Sequence, residues 1–129
     1  MFPAKNIMTT DVMSVKAETL VCDAMRILID NQISGLPVVD NEENVIGIIS
    51  EKDMLRLLFN TSIKENDTVL DYMTKEVVSF KEEDSAVDIC EFFMNSSVRR
   101  VPIVREGKLV GIVSRRNLIK TILHLWGKD

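Results

Sequence analysis

Gly47-Ile48-Ile49-Ser50-Glu51-Lys52-Asp53 returns 64 residues later as Gly111-Ile112-Val113-Ser114-Arg115-Arg116-Asn117. Each stretch reads as a β-branched strand running straight into a helix. The Ser and the Asp or Asn three residues on have the spacing of a capping box, in which the two satisfy each other's backbone amides. Working outward, Leu36-Pro37-Val38-Val39 matches Val101-Pro102-Ile103-Val104 at a shift of 65. Val12-Met13-Ser14-Val15-Lys16 matches Val77-Val78-Ser79-Phe80-Lys81, Met8-Thr9 matches Met73-Thr74, and Asp23 matches Asp88, all at that same shift. Self-similarity at a fixed period marks a structural repeat. The chain therefore divides into a first repeat with its linker, 1–65, and a second repeat, 66–129. The polar stretch 60–68 is the linker.

Both copies carry the same pattern of elements. A short strand (12–15 or 77–80) precedes a helix (20–31 or 85–95). Thr19 and Asp84 stand before these helices as expected N-caps, since their side-chain oxygens can accept from first-turn amides. Val21, Ala24, Met25 and Leu28 give the first helix one apolar face by their three- and four-residue spacing. Two strands follow (36–39 and 45–49; 101–104 and 109–113), joined by polar turns. A last helix (51–59 or 115–125) closes each copy. The order β-α-β-β-α, twice, predicts an α+β, sandwich-like fold. Each small sheet carries helices on one face, and the copies share a core that neither completes alone.

Charge and composition narrow the function. Of 129 residues, 46% are hydrophobic and 28% charged, which is an ordinary globular balance. The net charge of −4 argues against a general nucleic-acid binder. Residues 1–65 hold six basic and ten acidic side chains, whereas 66–129 hold ten of each. From Arg99 to Lys120 seven residues are basic and only Glu106 is acidic. Such a cluster is a solvated face or a receiver of phosphate, for which the planar guanidinium is suited. No apolar run reaches the ~18 residues needed to span a bilayer. Residues 1–13 lack a basic segment followed by an apolar one, so no signal peptide is expected. Cys22 and Cys90 read as buried free thiols of a cytoplasmic protein. His124 is the single histidine, which leaves no metal cluster and no catalytic triad. No enzyme is expected.

The pattern Met-Thr-x-x-Val, a hydrophobic-Pro-hydrophobic-hydrophobic strand and Gly-Ile-Ile-Ser-x-x-Asp resembles the cystathionine-beta-synthase (CBS) domain. It occurs twice, at about 7–59 and 70–123. The resemblance implies a tandem pair, or Bateman module, packed with pseudo-two-fold symmetry and two equivalent clefts, commonly assembled as a homodimer. It also implies adenosyl ligands: AMP, ADP, ATP, S-adenosylmethionine or NADH.

The same resemblance assigns residues. Asp53 would accept from the ribose hydroxyls, and Ser50 would help hold a phosphate at the helix start. Val77, Val78, Val98 and Arg99 from the other copy would flank the adenine, with Ile48 completing the slot. Arg99-Arg100 fall where nucleotide-sensing members carry basic phosphate ligands, with Arg116 and Lys52 as further cations. The second cleft would use Val12, Met13, Ile33, Ser34, Ile112 and Ser114. There Asn117 replaces the Asp, and Ser34-Gly35 replaces the basic dipeptide.

Each of these residues also has a structural reading. Ser50 with Asp53, and Ser114 with Asn117, are capping pairs. Pro37 and Pro102 suit edge strands. Gly47 and Gly111 permit close approach by core or ligand. The methionines fill core or interface. His124 sits on the surface near a helix C-terminus. The apolar final helices, ending at Trp126, suit a two-fold homodimer. Two functions remain: a module that senses an adenine nucleotide and passes its signal to an effector protein, or a ligand-free dimerising scaffold. Neither requires a membrane.

Overall fold

β-Branched strands separated by capped, amphipathic helices generate two small α+β layers in the computed structural model, which describes residues 2–59 and 64–128. Of the linker, residues 60–63 lie outside the described residues. The first copy contains α1 (Ala4–Ile7), β1 (Val15–Lys16), α2 (Val21–Asn31), β2 (Gly35–Val39), β3 (Val45–Ser50) and α3 (Glu51–Leu55). A 3-10 turn, Arg56–Leu58, follows α3, so the expected helix over 51–59 tightens after one and a half turns. The second copy contains α4 (Val69–Tyr72), β4 (Phe80–Lys81), α5 (Ala86–Met94), β5 (Arg100–Arg105), β6 (Lys108–Ser114) and α6 (Arg115–Leu125).

Each sheet has three strands, in the orders β1-β2-β3 and β4-β5-β6. β1 runs parallel to β2, and β3 returns antiparallel; the second sheet repeats this. Pro37 and Pro102 lie on the middle strands, not on edge strands as expected. They are accommodated because the short first strands end early: Val15 and Lys16 face Val38 and Val39, and no residue of β1 lies opposite Pro37. Phe80 and Lys81 face Ile103 and Val104, which leaves Pro102 in the same position. A proline there removes no bond from the parallel ladder.

The helix starts also differ from expectation by one residue. Leu20 and Ser85 are the N-caps. Thr19 Oγ1 instead accepts from the Lys16 amide at 3.0 Å, and Asp84 Oδ2 from the Lys81 amide at 2.7 Å. Both side chains close the turn that leaves the strand, so they are not available to the helix. Cys22 and Cys90 are free but only half-buried.

The chain forms two compact units: Met13–Val77, and Met1–Val12 together with Val78–Asp129. They differ from the sequence repeats by an exchange of leading segments. α4 precedes the second repeat's first strand yet packs in the Met13–Val77 unit, where Val69 is fully buried with Val21, Ala24, Leu28, Leu36 and Ile49. α1 belongs to the other unit, where Ala4 is buried with Ala86, Ile89, Phe93, Val101 and Val113. Val21, Ala24 and Leu28 show the three-and-four spacing of one buried helix face, as do Ala86, Ile89 and Phe93. Burial of each large aliphatic side chain contributes roughly 1.5–3 kcal/mol.

Gly47 and Gly111 make the exchange possible. A Cβ on Gly47 would stand 2.8 Å from Met73 Sδ and 2.9 Å from the Thr74 carbonyl. One on Gly111 would collide with the Met8 side chain. The Met-Thr pairs therefore lie directly on the strand glycines. Thr74 pairs with Ile48, and Thr9 with Ile112, through antiparallel bridges. Of the two roles read for these glycines, close core packing is the one realised.

Candidate functional site

Asp53 is the single buried charged residue among those described. Its position is set by local chemistry. Ser50 leaves β3 in extended conformation and caps α3. Its hydroxyl accepts from the Asp53 amide at 3.3 Å and donates to Asp53 Oδ2 at 3.0 Å, while its own amide donates to Oδ2 at 2.9 Å. The other carboxylate oxygen, Oδ1, accepts from Arg56 Nη2 at 3.0 Å and from Thr74 Oγ1 at 3.2 Å. All four donors come from the same compact unit. An ionised carboxylate offers about four lone-pair directions, so this one is fully engaged. The Arg56 nitrogen also donates to the Tyr72 carbonyl at 3.1 Å, tying α3 to the end of α4.

The corresponding place in the other unit is closed in the same way by different groups. Ser114 Oγ and its amide donate to Asn117 Oδ1 at 2.8 and 2.7 Å, and the Asn117 amide returns a bond of 3.3 Å to Ser114 Oγ. Asn117 Nδ2 donates to Thr9 Oγ1 at 3.4 Å. The outer face of this group is an amide donor, where Asp53 has an acceptor.

The remaining sequence-predicted residues divide between the units. Ile48, Ser50, Lys52, Asp53, Met13, Ile33, Ser34 and Val77 lie in Met13–Val77. Val12, Val78, Val98, Arg99, Arg100, Ile112, Ser114, Arg116 and Asn117 lie in the other unit. Several apolar members are left open within their units: Met13 is 44%, Val78 50% and Val98 38% exposed. Ile112, by contrast, is buried. Arg99, Arg116 and Lys52 are exposed. Arg100 opens β5 opposite Ser114 and is half-buried. Burial lowers its pKa from the ordinary guanidinium value.

Arg56, Thr74 and Tyr72 were absent from the sequence reading of the site. Thr74 carried a signal, because the Met-Thr pair recurs in both copies. Arg56 carried a weaker one: three residues after Asp53 is ion-pair spacing on a helix. Among the described residues no cluster of three or more His, Cys, Asp or Glu stands together, and no helix is long and apolar enough to cross a membrane.

This arrangement of repeats and capped turns has relatives. The chain belongs to the CBS domain family, whose model matches it twice, at residues 4–60 and 69–124. It is 30% identical over 124 residues to an uncharacterised protein of Methanocaldococcus jannaschii, covering 96% of this chain and 44% of that protein. It is 34% identical over 120 residues to an uncharacterised 17.7 kDa protein of Acidianus ambivalens, covering 92% of this chain and 72% of the relative. The chain thus spans less than half the length of the first relative and about 72% of the second. CBSX2 of Arabidopsis thaliana, solved in complex with AMP, superposes with a TM-score of 0.89 at 29% identity, covering 98% of this chain and 99% of that one. The fold is accordingly a tandem CBS pair.

Proposed function

We propose that the chain is a regulatory module that binds an adenine nucleotide or another adenosyl compound, with Asp53 as the ribose acceptor. The observation that carries this reading is the likeness, over 98% of this chain, to the structure of CBSX2 solved with AMP. Three features support it. Asp53 is a buried carboxylate held rigidly by its capping box, so its acceptor geometry is fixed before a ligand arrives. Val78 and Val98, read as flanking the adenine with Asp53 on the ribose, are apolar yet exposed. Arg100, half-buried at the start of β5, and the exposed Arg99 would supply the cations a phosphate needs.

The module acts in the cytoplasm on this reading, as a homodimer that hands its signal to an effector protein. Exposed apolar residues favour self-association. Ile119, Ile122, Leu123, Leu125 and Trp126 line α6 and its end, and Trp126 is 76% exposed. Leu55, Leu58 and Phe59 are exposed after β3. Light scattering at micromolar concentration is expected to give a dimer, and a monomer alone would refute this part.

The ligand assignment is tested by calorimetric titration with adenosine, AMP and ATP. Asp53→Asn keeps a cap of the kind Asn117 already provides but loses the carboxylate. It is expected to weaken adenosine roughly tenfold, the lower end for a hydrogen bond to a charged group. Arg99→Ala and Arg100→Ala are expected to weaken AMP and ATP far more than adenosine. Asn117→Ala is expected to matter least. A folded wild-type protein that binds no adenosyl compound would instead be the dimerising scaffold.

A further inference from the structure

The Asp53 carboxylate has no acceptor position left, and that determines how a ribose could reach it. Oδ2 is committed to the Ser50 amide and hydroxyl, and releasing those would open the start of α3. Oδ1 is held by Arg56 and Thr74, two groups that can turn to water. The Arg56 side chain is 64% exposed, against 9% for Asp53. A ribose diol brings two O–H donors, so it must replace these partners and cannot be added to them. We propose that Arg56 is an internal competitor for the ribose site: its guanidinium occupies Asp53 Oδ1 in the free protein, and the ligand must displace it. This inference rests on Asp53 being the ribose acceptor.

The competition belongs to one unit only. In the other copy Lys120 stands at the position matching Arg56, and Asn117 is neutral and forms no ion pair. Arg56 therefore sets affinity at the Asp53 site without a counterpart at the Asn117 site. Displacement has a second effect, because the same guanidinium nitrogen holds the Tyr72 carbonyl. A ligand that removes Arg56 from Asp53 also loosens the tie between α3 and α4, which gives occupancy a structural consequence.

The test is titration with adenosine, which is uncharged, so the phosphate partners do not enter. Arg56→Met is expected to tighten adenosine roughly two- to fivefold, the size of one partly exposed ion pair. Arg56→Lys, which keeps the charge, should stay near wild type. Salt gives an independent readout on the unmodified protein. It screens the Arg56–Asp53 pair but not a neutral ligand, so wild-type affinity for adenosine should rise with ionic strength, and that of Arg56→Met should stay flat. If Asp53→Asn weakens adenosine while Arg56→Met leaves it unchanged or weaker, Arg56 is no competitor and the ribose assignment stands. A wild-type affinity that falls or stays level as salt rises overturns the competition as well. If Asp53→Asn leaves adenosine binding intact, the ribose assignment fails and this inference fails with it.

Discussion

Ser50 and Asp53 in one unit, and Ser114 and Asn117 in the other, close almost the same capping box. The two serines have φ/ψ of −124/167° and −112/167°, and each accepts from the third helical amide at 3.3 Å. What differs is the outward atom. Asp53 presents a charged acceptor that collects Arg56 and Thr74, whereas Asn117 presents an N–H that reaches Thr9. One atom's change from oxygen to nitrogen thus leaves the cap intact and reverses the polarity of the surface a ligand would meet. Capping is tolerant because either side chain has one oxygen to give the backbone. Recognition is less so, because it uses the second atom.

The comparison breaks most visibly if the two side chains are removed. Asp53→Ala should cost about 2–4 kcal/mol of stability, since it deletes a cap together with the charge-assisted hydrogen bonds from Arg56 and Thr74. Asn117→Ala should cost about 1 kcal/mol, the usual value of a cap alone. Urea denaturation of both variants measures the gap, and equal losses would mean that the extra partners of Asp53 add nothing.

The glycines under the Met-Thr pairs sharpen the same contrast. Gly47→Ala drives a Cβ against the Thr74 carbonyl as well as Met73, and backbone yields less readily than a thioether. It should destabilise by about 1–3 kcal/mol. At Gly111 the nearest obstacles all belong to the flexible Met8 side chain, so Gly111→Ala should cost less. Thermal melts of the two variants would reverse this order if Met8 were the more rigid neighbour.

The smallest effect is with pH. In the unit that contains Asn117, the hydrogen bond from Arg105 holds Glu82 below the usual carboxylate range. In the other unit, bonds from Tyr72 and the Lys64 amide do the same for Asp67. Folded-state values below the unfolded ones mean that these groups stabilise the fold above their ordinary pKa, about 4. That contribution fades as pH falls through the lowered values. Both carboxylates are only partly buried, and Arg105 stays largely exposed, so the effect is slight. Glu82→Gln should flatten the acid limb of a stability-against-pH curve, and an unchanged limb would show the Arg105 pair to be inert.

The sequence alone was enough for the repeat, the β-α-β-β-α part of each copy, the family and both capping boxes, but not for the short helices α1 and α4 that precede each copy's first strand. These features depend on near neighbours along the chain: alternation in strands, three-and-four spacing in helices, and a Ser with its partner three residues on. Thr19 and Asp84 show the limit even of local reading. A good capping residue one position early serves the preceding turn instead, and only backbone geometry decides which amide it reaches. The exchange of α1 and α4 between the repeats was decided by tertiary packing. Gly47 and Gly111 leave a space on each sheet that the distant Met73 and Met8 fill. Packing likewise placed Thr74 on Asp53, 21 positions away in sequence. A carboxylate's spacing from its own serine says which backbone it caps. Which long-range donors fill its remaining lone pairs depends on where the folded chain returns.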